Sequence, residues 1–329
     1  MKMLVIGDEQ RTRRYLPDLP VVGRTELVVV PRGTSDAQIL AEHGDADYIM
    51  ADAISPVSAE LIAGLPNLKL IHSEGVAFNA IDCNAAAERG IPVCNNAGVN
   101  AGAVAEQAIL LMLGCLRGVV AGDVAVRAGQ QIQTKERLMV QGIRELGDCT
   151  VGLIGFGAIA RATAERLRPF GCRLLYNKRS RLAPEEEERL GVAYASVDEI
   201  AAQADIVSLH CPVTPQTTDL VDAAFLEAMK PDAILINTAR GEVVDQVALA
   251  RALEQGQIGM AGLDTLSPEP VQTDHPLLTA GPAVAERVLL SPHVGGVTEG
   301  MFYRAHRWVW ENVARVEAGE RPVNVVNGL

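Results

Sequence analysis

Aromatic residues are scarce. Phe, Trp and Tyr make up 4% of the 329 residues, although 48% of the chain is hydrophobic. Any core must therefore be built from Val, Leu, Ile and Ala. The six cysteines (Cys83, Cys94, Cys115, Cys149, Cys172 and Cys211) include no C-x-x-C pair, and most have apolar or small neighbours. They read as reduced core thiols of a cytoplasmic protein, not as a disulfide framework or a metal site. No metal is expected. No run of about 18 apolar residues occurs, so no membrane span is expected. The opening MKMLVIGDEQ is too short an apolar segment for a secretory signal. Positive charge is in deficit: 29 Lys and Arg against 41 Asp and Glu leave a formal charge of −12. Nucleic acid and membrane surfaces, which favour a positive face, are disfavoured as partners. A local basic pocket for a small anion stays open.

The length allows two domains, each with its own core. The chain is organised around Val151–Ala160, VGLIGFGAIA. Gly155, Gly157 and Ala160 have the spacing G-x-G-x-x-G/A. The first glycine allows a tight turn out of a strand. The second lets a pyrophosphate approach the backbone. The small third residue lets the helix pack on the sheet, and its N-terminus then faces the phosphates. Alone, this pattern also fits a purely structural turn. An apolar strand before it and the amphipathic run Arg161–Leu167 after it favour the nucleotide reading.

Before this turn, strands are expected at Met3–Ile6, Glu26–Val30, Tyr48–Ala51, Leu68–His72 and Ile91–Cys94. Helices are expected across Ser35–His43, from Ser55 to Ile62, and from a cap at Asn84 to Arg89. Ala101–Leu116 is an almost uncharged helix, buried between layers or between subunits. Gly129–Gly147 is polar and expected to be loop-rich. After the turn, strands are expected at Arg173–Tyr176, Ile206–His210, Ala233–Asn237, Met260–Leu263 and Val288–Leu290. Helices fall between them, and a long closing helix covers Thr298–Gly319. Strands alternating with helices imply an α/β fold with parallel, doubly wound sheets.

Three of the later strands run into a polar residue beside glycine or proline: Arg240, Glu269 and His293. Singly, each has a plain structural reading as a surface arginine, a turn carboxylate or a structural histidine. Together, on one strand edge behind a nucleotide turn, they suit one chemistry. Arginine holds a carboxylate with a planar fork. Histidine moves a proton near neutral pH, and a neighbouring carboxylate orients the ring and favours its protonated form. The set fits hydride transfer between a nicotinamide and a 2-oxo acid.

NTARGEVVD (Asn237–Asp245), GLDTLSPEP (Gly262–Pro270) and SPHVGGVT (Ser291–Thr298) resemble, in this order, the three motifs of the D-isomer-specific 2-hydroxyacid dehydrogenase family. The resemblance extends over essentially the whole chain. It implies two Rossmann-like domains with the active site in the interdomain cleft. The substrate-binding domain would be discontinuous, 1–98 and 299–329, with a dinucleotide-binding domain at 99–298. It implies Arg240 as the substrate-binding residue, His293 as proton donor in reduction and Glu269 as its partner. SEGVAFNAID (Ser73–Asp82) resembles the substrate loop, with Gly75, Val76 and Ala77 receiving the carboxylate through backbone N–H groups. The implied cofactor set begins with Gly155, Phe156, Gly157, Ala158 and Ile159. It continues through Asn177, Lys178, Arg179 and Ser180, then Cys211, Pro212 and Thr217. Thr238, Ala239, Asp264, His293 and Gly295 complete it, with Asp264 holding the nicotinamide carboxamide. The hinge helix, with Asn100 and Glu106 in register, implies a homodimer.

Departures from the family pattern carry information. Gln107 and Ala108 stand where His and Thr are common. Glu74 lies where small residues are usual; it either disfavours a second anionic group on the substrate or points into solvent, with the second reading preferred. Asn177 lies 22 residues past Gly155, where NAD enzymes place an acid on the ribose. The segment Asn177-Lys178-Arg179-Ser180 lacks that acid and offers two cations and a hydroxyl. NADP(H) is therefore favoured, with Arg179 as the main contact with the 2′-phosphate and NAD(H) as the alternative. The expected activity is reduction of a small 2-oxo acid, such as glyoxylate (a glyoxylate reductase) or hydroxypyruvate (a hydroxypyruvate reductase), to the D-2-hydroxy acid. The rival readings are a phosphoglycerate or phosphite dehydrogenase on the same scaffold, and a non-catalytic nicotinamide-sensing corepressor. The first needs cations where Glu74 stands, and no added regulatory domain is expected. The second is at odds with an intact Arg, Glu and His set.

Overall fold

Short aliphatic runs, bounded by glycine, proline or capping side chains, form twelve parallel strands in a computed structural model that describes residues 1–329. The chain divides into two units, Met1–Asn100 with Thr298–Leu329, and Ala101–Val297.

In the first unit the strands are β1 (Lys2–Ile6), β2 (Glu26–Val30), β3 (Tyr48–Ala51), β4 (Leu70–Ser73) and β5 (Val93–Cys94), in the order β2-β1-β3-β4-β5. Side chains alternate between the two sheet faces. Leu4, Ile6, Ile49 and Ile71 pack with Ile39, Leu61 and Ile62 on one face. Met3, Val5, Tyr48 and Met50 pack with Val309, Trp310 and Val313 on the other. Both faces are therefore covered, as a parallel sheet requires. The covering helix of the second face is Glu299–Glu317, started by Thr298, whose hydroxyl accepts the Met301 N–H.

In the second unit the strands are β6 (Thr150–Ile154), β7 (Arg173–Asn177), β8 (Val192–Tyr194), β9 (Ile206–Leu209), β10 (Ile234–Asn237), β11 (Met260–Leu263) and β12 (Val288–Leu290). Their order is β12-β11-β10-β9-β6-β7-β8, so the winding reverses between β6 and β9. Ligands in such sheets gather beyond the carboxyl ends at that switch point. Helix Ala101–Arg117 packs against helix Ala158–Leu167 and against β10, β11 and β12. Most of its apolar residues are thus buried between layers of its own unit, while Leu110 is exposed. No single helix in the chain is long and apolar enough to cross a membrane.

Several local expectations are corrected. The polar stretch Gly129–Gly147 is mostly helix, Gln131–Gln141. Its Gln, Lys, Glu, Arg, Leu and Met residues are good helix formers, and polarity alone does not make a loop. A further helix, Val119–Arg127, precedes it. The helix expected from Ser55 is Ala59–Gly64, capped by Ser58. Asp52 already takes the Ser55 N–H at 2.9 Å, which draws that residue into a turn. Asp82, not Asn84, caps helix Cys83–Glu88 by accepting the Ala85 N–H. Strand β8, three residues long, and helix Glu9–Arg14, which has no apolar residue, are too weak to signal themselves.

His72 on β4 is 1% exposed. Its Nδ1–H donates to the Ser73 carbonyl at 2.8 Å, and its Nε2 accepts from the Asn312 amide at 3.1 Å. Burial pushes its pKa down to about 4. The folded state thus binds the proton less readily than the unfolded chain. Stability from this group is intact above pH 6.5 and is lost as pH falls through 4. The loss is on the order of 3 kcal/mol. Acid unfolding followed by Trp fluorescence should show stability falling across this window. His72→Gln should flatten the slope; an unchanged slope would refute the assignment.

Candidate active site

Strand β6 ends at Ile154, and Gly155 turns the chain with φ +91°. A Cβ at Gly155 would lie 2.5 Å from the Cys211 backbone nitrogen, so only glycine fits between the ends of β6 and β9. Phe156 is buried against Tyr176. Gly157 is the N-cap of helix Ala158–Leu167 and no side chain caps the first turn, which leaves its N–H groups free. A Cβ at Gly157 would meet nothing within 4 Å, so space is open above the turn. Ala160 is fully buried beneath it.

A cleft of about 650 Å³ opens there, lined by Gly155–Gly157, Asn177–Arg179, His210–Pro212, Thr214 and Thr217 among others. The His210 Nδ1 is buried and unpartnered, as is Thr238 Oγ1 at the end of β10. Free helix N–H groups, a sterically open glycine and orphaned polar atoms along one strand edge fit a dinucleotide. Thr217 serves its own loop: its hydroxyl donates to the Pro212 carbonyl at 2.6 Å and accepts the Thr214 N–H at 2.8 Å.

The end of β7 is fixed by backbone. The Asn177 carbonyl accepts from Gly155 and Phe156, and its side-chain amide donates to the Ala195 carbonyl at 2.9 Å. Lys178 is half-buried; Arg179 and Ser180 are exposed. Neither cation has an ion-pair partner. The nearby acids are engaged elsewhere. Glu186 pairs with Arg161, and Glu187 accepts from Arg181 and Tyr176, which hold its pKa down at about 2.

Strands β10, β11 and β12 are neighbours in register, so the segments leaving them share one edge. Arg240 follows β10. Asn237 braces that turn, donating to the Arg240 carbonyl at 2.8 Å and accepting the Ala239 N–H at 3.0 Å. The exposed Arg240 guanidinium donates to the Ala239 carbonyl and pairs with no acid. Glu269 follows β11 and His293 follows β12. The imidazole Nδ1 lies 2.8 and 2.9 Å from the two Glu269 carboxylate oxygens. The carboxylate thereby fixes the tautomer, with Nδ1–H donating and Nε2 left to exchange a proton with a bound molecule.

His293 itself has φ +54°, an uncommon backbone for a residue with a side chain. Asp264, 2% exposed, braces the loop that holds it. Its carboxylate accepts from Ser291 Oγ at 2.5 Å, the Val294 N–H at 3.0 Å and the Gly295 N–H at 2.8 Å. Gln107 donates to the same Ser291 hydroxyl at 2.9 Å. The bracing by Ser291, Gln107 and Asn237 is not visible in sequence, although Asn237 and Ser291 stand inside motifs already singled out.

In the first unit, the loop after β4 has all its carbonyls turned inward. Asn96 Nδ2 donates to the Ser73 and Glu74 carbonyls, and the Asn96 N–H to that of Gly75. Asn95 Nδ2 donates to the Val76 carbonyl at 2.7 Å, and Ser73 Oγ to that of Ala77 at 2.6 Å. The Gly75 N–H is taken by Ser73 Oγ at 3.3 Å. The N–H groups of Val76 and Ala77 have no partner, and unpaired neighbouring backbone N–H groups can receive an anion. Asn95 and Asn96, which turn the carbonyls of this loop inward, are absent from the sequence-based set.

Glu74 does not point into solvent. It is 6% exposed and accepts from Arg11 at 3.0 and 2.7 Å and from His306 at 2.8 Å. A buried carboxylate requires such partners. Its charge is met within the fold, so it exerts little repulsion on an anion at the loop. No cluster of three His, Cys, Asp or Glu residues is placed to hold a metal ion.

Residues 109–295 match the family profile "D-isomer specific 2-hydroxyacid dehydrogenase, NAD binding domain". The chain is similar to a glyoxylate reductase of Korarchaeum cryptofilum, with 37% identity over 283 residues, 86% of this chain and 83% of that one. It is similar to a glyoxylate reductase of Thermococcus litoralis, with 35% identity over 305 residues, 92% and 90% of the two chains. Among solved structures, D-lactate dehydrogenase with NAD+ from Lactobacillus jensenii superposes with a TM-score of 0.84 at 27% identity, covering 99% of each chain.

Proposed function

The chain belongs to the D-isomer-specific 2-hydroxyacid dehydrogenase family, oxidoreductases that act on CH–OH groups with a nicotinamide cofactor, and from that premise we propose that it reduces a small 2-oxo acid to the D-2-hydroxy acid with NADPH. Glyoxylate and hydroxypyruvate are the leading substrates, the first being the substrate named for two of its relatives. The observation that carries this reading is the contact between His293 and Glu269, on the same sheet edge as an arginine with no acidic partner.

When bound, the nicotinamide supplies the hydride. The protein's part is to hold the substrate and move one proton. The Arg240 guanidinium binds the substrate carboxylate and polarises the oxo oxygen. In the other unit, the unpartnered N–H groups of Val76 and Ala77 are the candidates to receive an anion. His293 delivers a proton from Nε2 to the oxo oxygen, while Glu269 at Nδ1 stabilises the charged ring. Asp264 acts on the loop behind His293, and Thr238 Oγ1 and His210 Nδ1 remain available to the cofactor.

The preference for NADPH rests on Arg179, Lys178 and Ser180 at the end of β7, with no carboxylate to repel a 2′-phosphate. A homodimer is also proposed. The exposed aliphatic side chains of Val119, Val120, Val124, Ile132, Met139 and Val140, on the two helices after Arg117, offer its seam. A reducing cytoplasmic setting suits six free cysteines.

The test is loss of NADPH absorbance with a panel of 2-oxo acids. Turnover of glyoxylate or hydroxypyruvate is expected; tight cofactor binding without turnover of any of them would refute the reading. Arg179→Ala should lower kcat/KM for NADPH by roughly 10- to 100-fold, the worth of a charge-assisted contact, and leave NADH nearly unchanged. An equal loss with both cofactors would remove the phosphate assignment.

A further inference from the structure

Glu269 lies between two prolines on a half-exposed segment, yet it meets His293 with both oxygens. Exposed carboxylates are usually mobile, so something must hold this one. The support lies two residues earlier, at Ser267. Gln246, the first residue of helix Gln246–Glu254, uses its amide as a backbone mimic. Its Nε2 donates to the Ser267 carbonyl at 3.1 Å, and its Oε1 accepts the Ser267 N–H at 3.2 Å.

A buried histidine locks that pair. His275 is 4% exposed. Its Nδ1 accepts the Leu277 N–H at 3.2 Å, so the ring proton sits on Nε2. That Nε2 lies 2.9 Å from Gln246 Oε1 and 3.2 Å from the Ser267 carbonyl, both acceptors. The proton therefore serves both partners, and the amide of Gln246 cannot flip without losing it. From the other side, the arginine loop presses on the same backbone. A Cβ at Gly241 would lie 2.2 to 2.4 Å from atoms of Leu266 and Ser267. Gly241 directly follows Arg240.

We propose that Gln246 and His275 are positioning residues that clasp Ser267 and so aim Glu269 at His293 Nδ1. This deepens the proposed function and rests on it, because the clasp acts only through Glu269. Neither residue lies among those assigned to substrate or cofactor. Their work is to keep a solvent-facing carboxylate in one orientation, so that the histidine presents Nε2 to the substrate without first being realigned.

The test uses four variants of the full-length protein: Gln246→Leu, His275→Asn, Glu269→Gln, and Gln246→Leu combined with Glu269→Gln. Asparagine at 275 can still cap the helix that starts at Pro276, but it is too short to reach Gln246; it separates the clasp from folding. Gln246→Leu and His275→Asn should each lower kcat about tenfold. KM for the oxo acid and the dissociation constant of NADPH should stay within about twofold. The double variant should be no slower than Glu269→Gln alone, since two residues acting through one contact are not additive. If the losses multiply, or KM and cofactor binding change as much as kcat, the clasp is merely structural and the proposal is overturned. If Glu269→Gln lowers kcat while Gln246→Leu and His275→Asn do not, the clasp fails and the catalytic reading stands. If Glu269→Gln itself leaves kcat unchanged, the catalytic reading fails and takes the clasp with it.

Discussion

His293→Gln is expected to lower kcat roughly a thousandfold, within the usual reach of a positioned acid–base group. Glutamine can still hydrogen-bond to Glu269, so the loop should survive, but it cannot deliver a proton. The dissociation constant for NADPH, read by fluorescence titration, should move by no more than about twofold. The braces of this loop predict the same separation. Asp264 is bound to Ser291 Oγ and to the N–H groups of Val294 and Gly295, none of which uses the imidazole. Loss of cofactor binding and turnover to the same degree would show that His293 supports the fold instead.

Arg240→Gln should be the second large effect, with kcat/KM for the oxo acid falling roughly 100- to 1000-fold. Two charge-assisted contacts with the substrate would be lost together. The guanidinium makes one internal hydrogen bond, to the carbonyl of Ala239, and no ion pair. Its removal should therefore cost the fold little, and the thermal midpoint should stay near that of the parent protein. Arg240→Lys keeps the charge without the planar fork and should recover only part of the loss. Full activity in either variant would mean that the substrate carboxylate is held elsewhere.

Much of the architecture is legible in the chain. Strands such as Glu26–Val30, Tyr48–Ala51, Met260–Leu263 and Val288–Leu290 can be read directly, because a short aliphatic run bounded by polar, glycine or proline residues has few alternatives, whether it lies inside a sheet or at its edge. The helix Gln131–Gln141 is not, since a polar surface helix and a polar loop differ only in weak propensities. The order of the three motifs places Arg240, Glu269 and His293 after successive strands, and the sheet brings those strands side by side. What sequence does not disclose is which polar groups face each other. Glu74 reads as a solvent group in one dimension; in three it meets Arg11 from the beginning of the chain and His306 from its last helix. Asn95 and Asn96 look like ordinary turn residues until the carbonyls of the loop after β4 are counted.

The closing helix also sets an order of events. Trp310 and its neighbours Val309 and Val313 cover one face of the first sheet, yet they are made more than two hundred residues after the strands they cover. A ribosome delivers β1 to β5 first, then the whole of residues 101–297, and only then this lid of side chains. The inserted unit has its own core and can close it while the earlier sheet still has one bare side. Of the two units, the one whose strands are made first is thus the one that closes its core last, and one apolar face of its sheet waits uncovered throughout that interval.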